Sequence, residues 1–165
     1  MALGVNGTPL SCEDKMDRDA LTSELITDEG IRLYAYDDAS GMALKPGIMC
    51  KGHPTIGIGR ALDVNGITQE EAKYLLSNDI DRVQSELETA FPWFTGLPEL
   101  PQRVLANMCF NMGLGHLQTF KEMLGYVESG AYAAAATAME DSLWAKQVGQ
   151  RAVRLANMMR GATAA

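Results

Sequence analysis

Glu29-Gly30-Ile31-Arg32-Leu33-Tyr34-Ala35-Tyr36-Asp37-Asp38 is where a helical pattern gives way to a pattern of strands and loops, and the rest of the chain is read outward from it. From Asp17 the apolar positions Leu21, Leu25 and Ile26 recur at helical spacing, and Gly30 stands where a helix stops, so a short helix is expected to end near Glu29. One carboxylate then sits at a helix terminus and another, Asp38, in the strand or turn that follows, with eight residues between them. Downstream come a Gly- and Pro-rich stretch from Ser40 to Pro54 and then Thr55-Ile56-Gly57-Ile58-Gly59, which fit short strands joined by loops.

The rest is helical. Thr68-Gln69-Glu70-Glu71 reads as a capped helix start, with Ala72, Leu75, Leu76, Ile80, Val83 and Leu87 along one face. Phe91-Pro92-Trp93-Phe94, with Gly96, Pro98 and Pro101, breaks the chain and supplies rings of the kind that plug the end of a core. Helices are then expected over Pro101 to Met112, Gln118 to Ser129, Ala131 to Asp141 and Gln147 to Met159, jointed at Gly113, Gly115, Gly130 and Gly149. Val104, Leu105, Met108 and Met112 form one apolar stripe, and Val153 and Met158 contribute to another. Residues 1–16 lack periodicity and read as an irregular arm.

With 165 residues, 47% of them hydrophobic, the chain is long enough for one well-buried core, and one domain over 17–165 is the expectation. The net charge of -7 disfavours long-range attraction to nucleic acid or an anionic membrane surface. No apolar run reaches membrane-spanning length, and the first residues lack a basic start and an unbroken apolar run, so a cytoplasmic chain without a signal peptide is expected. Cys12, Cys50 and Cys109 are odd in number and lie far apart. Reduced thiols are expected, Cys109 on a core face, with a Cys12 to Cys50 bridge as the alternative. No metal-ligand cluster or phosphate loop is present, so neither a cofactor nor a metal is implied, and His53 and His116 read as structural or exposed.

Glu29 and Asp38 are the candidate chemistry. Two carboxylates in unlike environments suit glycoside hydrolysis: one keeps its proton near neutral pH and gives it to the leaving oxygen, while the other stays ionised to activate water or stabilise positive charge. The spacing alone is weakly specific, since an acidic chain holds many such pairs and solvated surface acids are the plainer reading. Thr55 adds a hydroxyl that can hold a water, and Gly57 and Gly59 let the backbone approach a cleft closely.

Glu29-Gly30, Arg32-Leu33, Tyr36, Asp38 and Gly41, followed by Thr55-Ile56-Gly57-Ile58-Gly59, resemble the signature of phage-type lysozymes, glycoside hydrolase family twenty-four. The likeness continues through Asn65-Gly66-Ile67-Thr68 with Glu71-Ala72, through Ala106-Asn107-Met108-Cys109-Phe110-Asn111-Met112-Gly113, and through Trp144, Arg151-Ala152, Arg154 and Arg160-Gly161. It covers roughly residues 20–161.

The resemblance implies a mostly helical α+β fold: an N-terminal lobe over about 17–67 with a β-hairpin, a long connecting helix over about 68–90, a helical C-terminal lobe over about 91–161, and a cleft between lobes. It implies Glu29 as general acid, Asp38 as the carboxylate acting on the attacking water, Thr55 as the hydroxyl assisting that water, Arg151 as an arginine paired with the catalytic glutamate, and Phe110 and Asn111 as substrate-binding residues. The implied reaction inverts, which sets the two carboxyls roughly 6.5–9.5 Å apart. Its substrate would be the glycan strands of peptidoglycan, cleaved between N-acetylmuramic acid and N-acetylglucosamine. The enzyme would be a monomer without membrane insertion or nucleic-acid partner, waiting in the host cytoplasm for a holin, an indirect partner, to admit it to the periplasmic wall.

Sixteen residues separate Asp38 from Thr55 where the family has about five, so Met42 to Pro54 is an insertion, expected to flank the cleft; Arg60 stands where a histidine commonly follows Gly-x-Gly. Asp37 is the fallback second carboxylate, although strand alternation sends Asp37 and Asp38 to opposite faces. A non-catalytic glycan-binding or virion structural module and a lytic transglycosylase are the competing readings.

Overall fold

The computed structural model describes residues 16–162, in two compact units divided after Thr68. The irregular arm expected over 1–16, apart from Met16, lies outside the described residues, as does Cys12; Cys50 and Cys109 are free thiols. No helix among the described residues is long and apolar enough to cross a membrane.

The first unit opens with α1 (Arg18–Glu29), capped by Asp17, whose Oδ1 accepts the N–H groups of Asp19 and Ala20 at 3.0 Å. Gly30 ends it at φ 70, a left-handed conformation that glycine adopts without steric cost, and the chain turns directly into β1 (Arg32–Asp37). With β2 (Pro54–Gly57) and β3 (Arg60–Ala61) this makes an antiparallel sheet in the order β1-β2-β3. Tyr36 faces Thr55 and Asp37 faces Pro54, while the register slips between Arg32 and Tyr36. A short helix, α2 (Leu62–Asn65), follows β3 at once. The insertion after Asp38 folds back on β1: Asp37 N–H donates to Met42 O at 2.9 Å, and Leu44 N–H to Ala35 O at 2.8 Å.

The second unit is helical: α3 (Gln69–Ala90), α4 (Glu99–Met112), α5 (Leu114–Leu117), α6 (Lys121–Glu128), α7 (Tyr132–Glu140), α8 (Leu143–Val148) and α9 (Gln150–Arg160). Its core joins Val83 and Leu87 of α3 to Val104, Leu105, Met108 and Cys109 of α4, Leu117, Met123 and Val127, the small face of α7, Trp144, and Leu155 and Met159 of α9. The most extensive helix packing is α7 against α9 and α6, with the small residues Ala135, Ala136, Ala152 and Ala156 buried there.

Three expectations are corrected, and α3, expected and found as one long helix, is covered along only part of its apolar face. The apolar face of α3 is buried only at Val83 and Leu87; Leu75, Leu76 and Ile80 remain about half exposed, at 52%, 45% and 49%, because periodicity defines a face without supplying a neighbour to cover it. The helix expected from Gln118 begins at Lys121, since residues 114–117 form the separate turn of α5. The helix expected from Gln147 to Met159 is cut at Gly149, whose φ of 53 ends α8 and starts α9 in a new direction. That redirection leaves Val153 exposed and buries Ala152, Leu155, Ala156 and Met159 instead. The fold class stands: a mostly helical α+β chain with one small antiparallel sheet.

Candidate active site

Glu29, Asp38 and Thr55 all belong to the first unit. Glu29 is the last residue of α1, exposed, and lies against the turn between β2 and β3: a Cβ on Gly59 would stand 3.1 Å from Glu29 Oε2 and 3.4 Å from its Cδ. Gly59 also has a φ of 69, a left-handed conformation that favours glycine, while the Glu29 side chain would need to give by only a few tenths of an ångström to admit a methyl.

The two neighbouring aspartates differ in burial, because β1 ends at Asp37 and Asp38 opens the turn beyond it. Asp37, the last residue of β1, is buried at 2% exposure, and its carboxylate accepts Ser40 Oγ–H at 2.6 Å, Gly52 N–H at 2.8 Å and Ala39 N–H at 3.3 Å, with Cys50 Sγ 3.5 Å away. These donors, Ser40 first, hold its carboxyl down to about 2 against the opposing effect of burial. Desolvation and the adjacent Asp37 charge push the Cys50 thiol up, so it stays protonated and serves as a donor. Asp37 is thus an ionised pin between β1 and the inserted loop.

Asp38 is exposed, and its Oδ1 accepts the backbone N–H of His53 at 2.7 Å. The Asp38 N–H returns to His53 O at 3.2 Å, and Thr55 Oγ1 donates to the same carbonyl at 3.1 Å. Asp38 and buried Thr55 therefore hang on the two peptide groups of one residue, despite the insertion between them. The close approach depends on Gly52, where a Cβ would fall 2.0 Å from Asp38 Oδ1.

His53 itself, read from sequence as structural or exposed, places Nδ1 at 2.9 and 3.1 Å from the two carboxylate oxygens of Asp63 in α2. The hydrogen bond and charge of Asp63 raise its pKa above 6.5. Sequence reading missed Asp63 and Gly52; their partners are ten and more residues away, and only the adjacency of His53 to Pro54-Thr55 offered a signal. His116 rests against Phe120, with ring centroids 5.9 Å apart.

In the second unit, Arg151 donates from Nε and Nη2 to Asn107 Oδ1 at 3.0 and 2.8 Å and from Nη2 to Asn107 O at 3.2 Å, so its guanidinium is fixed on α4. Arg151 and Phe110 line a groove of about 500 Å³ together with Leu76, Ile80, Arg103 and Asn107. Asn111 instead accepts the indole N–H of buried Trp144 at 2.9 Å, a contact that seats the tryptophan in the core.

A helix ending on an acid, a strand that buries its last aspartate and leaves the next exposed in the turn beyond, and a threonine across the ladder all lie within residues 27–160, which match the family Phage lysozyme, to which this protein belongs. It is similar to the pre-baseplate central spike protein Gp5 of Enterobacteria phage T4, at 29% identity over 82% of this chain and 27% of that protein. It is also similar to probable T4-type lysozyme 1 of Dictyostelium discoideum, at 28% identity over 59% of each chain. The chain thus spans about a quarter of the first relative's length and three fifths of the second's.

Proposed function

We propose that this protein is a peptidoglycan hydrolase, a muramidase that cleaves the β-1,4 bond between N-acetylmuramic acid and N-acetylglucosamine with inversion. The observation that carries the reading is the sharing of His53 between Asp38 and Thr55, which turns two residues distant in sequence into one water-handling pair. Thr55 spends its own proton on the His53 carbonyl, so its oxygen is an acceptor toward water. A water giving one proton to Asp38 and directing the other at Thr55 Oγ1 is aimed and deprotonated together. As its oxygen bonds to the anomeric carbon, the glycosidic C–O bond breaks and Glu29 delivers its proton to the departing oxygen. Asp37 is unsuited to the base role, because all its neighbours donate to it within the fold.

On this reading Arg151 supports the acid, Phe110 and Asn111 contact glycan, and the monomer reaches the periplasmic wall from the host cytoplasm by way of a holin. The test is mass spectrometry of soluble products from purified sacculi. Wild type should release reducing muropeptides and Glu29→Gln should lose about 10²–10⁴-fold in rate, the range for a general acid. Anhydro products would replace hydrolysis by transglycosylation. The spike protein among the relatives favours one second reading, a glycan-binding module of a virion assembly; binding to sacculi without any product would establish that instead.

A further inference from the structure

We infer that His53 and Asp63 form a positioning pair that holds the Asp38 carboxylate and the Thr55 hydroxyl in mutual register, a role that rests on the hydrolase reading above. Neither residue has a part in the proton transfers. His53 nonetheless bonds to both groups: its N–H goes to Asp38 Oδ1, and its carbonyl accepts from both Asp38 N–H and Thr55 Oγ1. Any shift of this one residue displaces both groups at once.

On its N-terminal side His53 is moored through Gly52, whose N–H donates to buried Asp37 at 2.8 Å. The insertion between Ser40 and Gly52 is exposed over most of its length, with Met49 at 84%. The imidazole supplies a second mooring from outside that loop. Asp63 lies two residues after Ala61, and Ala61 pairs with Thr55 across β2 and β3. The bond from His53 Nδ1 to Asp63 therefore closes a ring that runs through α2, β3, Thr55 and back to His53. Arg60 Nη1 donates to Gly66 O at 3.2 Å and steadies the far end of α2.

A half-exposed ion pair adds little to global stability, and these side chains are 52% and 46% exposed. A displacement on the order of 1 Å at reacting groups, by contrast, can cost about a hundredfold in rate. Positioning and plain surface pairing thus predict different ratios of activity loss to stability loss. The titratable groups facing the imidazole are Asp63 and, farther off, Asp38, both of which favour the charged ring. The tie is charge-assisted while His53 is protonated and weakens as pH rises through its raised pKa.

The experiment compares wild type with His53→Ala, Asp63→Ala, the double variant and Asp63→Asn. It measures kcat and KM on soluble wall fragments from pH 5 to 9, thermal unfolding, and hydrogen exchange of the His53 amide. Each alanine variant should lower kcat roughly tenfold at pH 6 with KM nearly unchanged. The double variant should fall no further than either single. Asp63→Asn, which keeps an acceptor, should recover much of the loss and move the alkaline fall of kcat to lower pH. The His53 amide should exchange faster in Asp63→Ala. Additive losses, a kcat loss matched by a fall in melting temperature, or a pH profile indifferent to Asp63→Asn would overturn the proposal. If wild type itself releases no reducing ends, the hydrolase reading fails separately, and the amide exchange alone decides the tie: unchanged exchange refutes it.

Discussion

Replacing Gly52 by alanine tests how the second carboxylate is held. The new methyl would lie 2.0 Å from Asp38 Oδ1, 2.8 Å from the Cβ of Ala39 and 2.9 Å from its backbone nitrogen. Contacts of this kind are not found below about 3 Å, so something must move by about 1 Å. The Asp38 side chain is the softest of the three, but rotating it away breaks its 2.7 Å bond with the His53 N–H. Moving the loop instead strains the 2.8 Å bond from Gly52 N–H to Asp37. Overpacking of this degree costs about 1–3 kcal/mol, or a melting temperature lower by roughly 2–12 °C for a chain of this size. A 1 Å error in the carboxylate lowers kcat/KM by about a hundredfold. Circular dichroism melting and reducing-end release from sacculi, at a temperature where the variant is fully folded, measure the two effects separately. Wild-type activity in a destabilised variant would refute the link between this contact and catalysis. An unchanged melting temperature with unchanged activity would refute the contact itself.

Other substitutions probe the pin, the groove and the helix propensity. Asp37→Asn should lower stability at pH 7. Because the folded carboxyl titrates at about 2, below the ordinary 3.8, its ionisation favours the folded state above pH 3.8, and that contribution fades as pH falls toward 2. Urea midpoints of wild type and variant should therefore converge at low pH, and a gap independent of pH would assign the loss to packing. Phe110→Ala, at a half-exposed ring beside Arg151, should leave the melting temperature nearly unchanged while raising KM on wall fragments about fivefold, the equivalent of about 1 kcal/mol; an unchanged KM would remove the ring from substrate contact. Gly125→Ala, inside α6 with no atom within 4 Å of the new methyl, should raise stability by about 0.5–1 kcal/mol in a denaturant titration. A loss there would mean that α6 is frayed in solution.

The end of α1 was legible because its signal is local: a glycine directly after the last helical residue. Asp37 and Asp38 do differ, one buried and one exposed, but not through alternation: burial along β1 does not alternate, the strand ends at Asp37, and Asp38 lies in the turn beyond it. The helix of α3 was legible but the burial of its face was not, because a stripe of Leu75, Leu76 and Ile80 looks alike whether or not anything covers it. Gly149 was recognised as a joint, yet the helix was carried across it, since composition marks a possible break without giving its direction. The least legible part was the mooring of Asp38: its bonds to His53 span fifteen residues, and no periodicity reports on such a pair.

That mooring also removes the difficulty raised by the insertion. Sixteen residues between Asp38 and Thr55 would separate them if the loop set their distance, but the loop is closed at its base. Asp38 N–H meets His53 O, His53 N–H meets Asp38 Oδ1, and Asp37 faces Pro54 in the ladder. Past that base the added length is an excursion pinned by Asp37 at Ser40, Cys50 and Gly52. The entropic cost of closing a loop grows only logarithmically with its length, so a few hydrogen bonds at the neck offset the extra residues. The relation between the carboxylate and the threonine is then a property of the neck, which is why shortening the excursion should be tolerated where altering Gly52 or His53 is not.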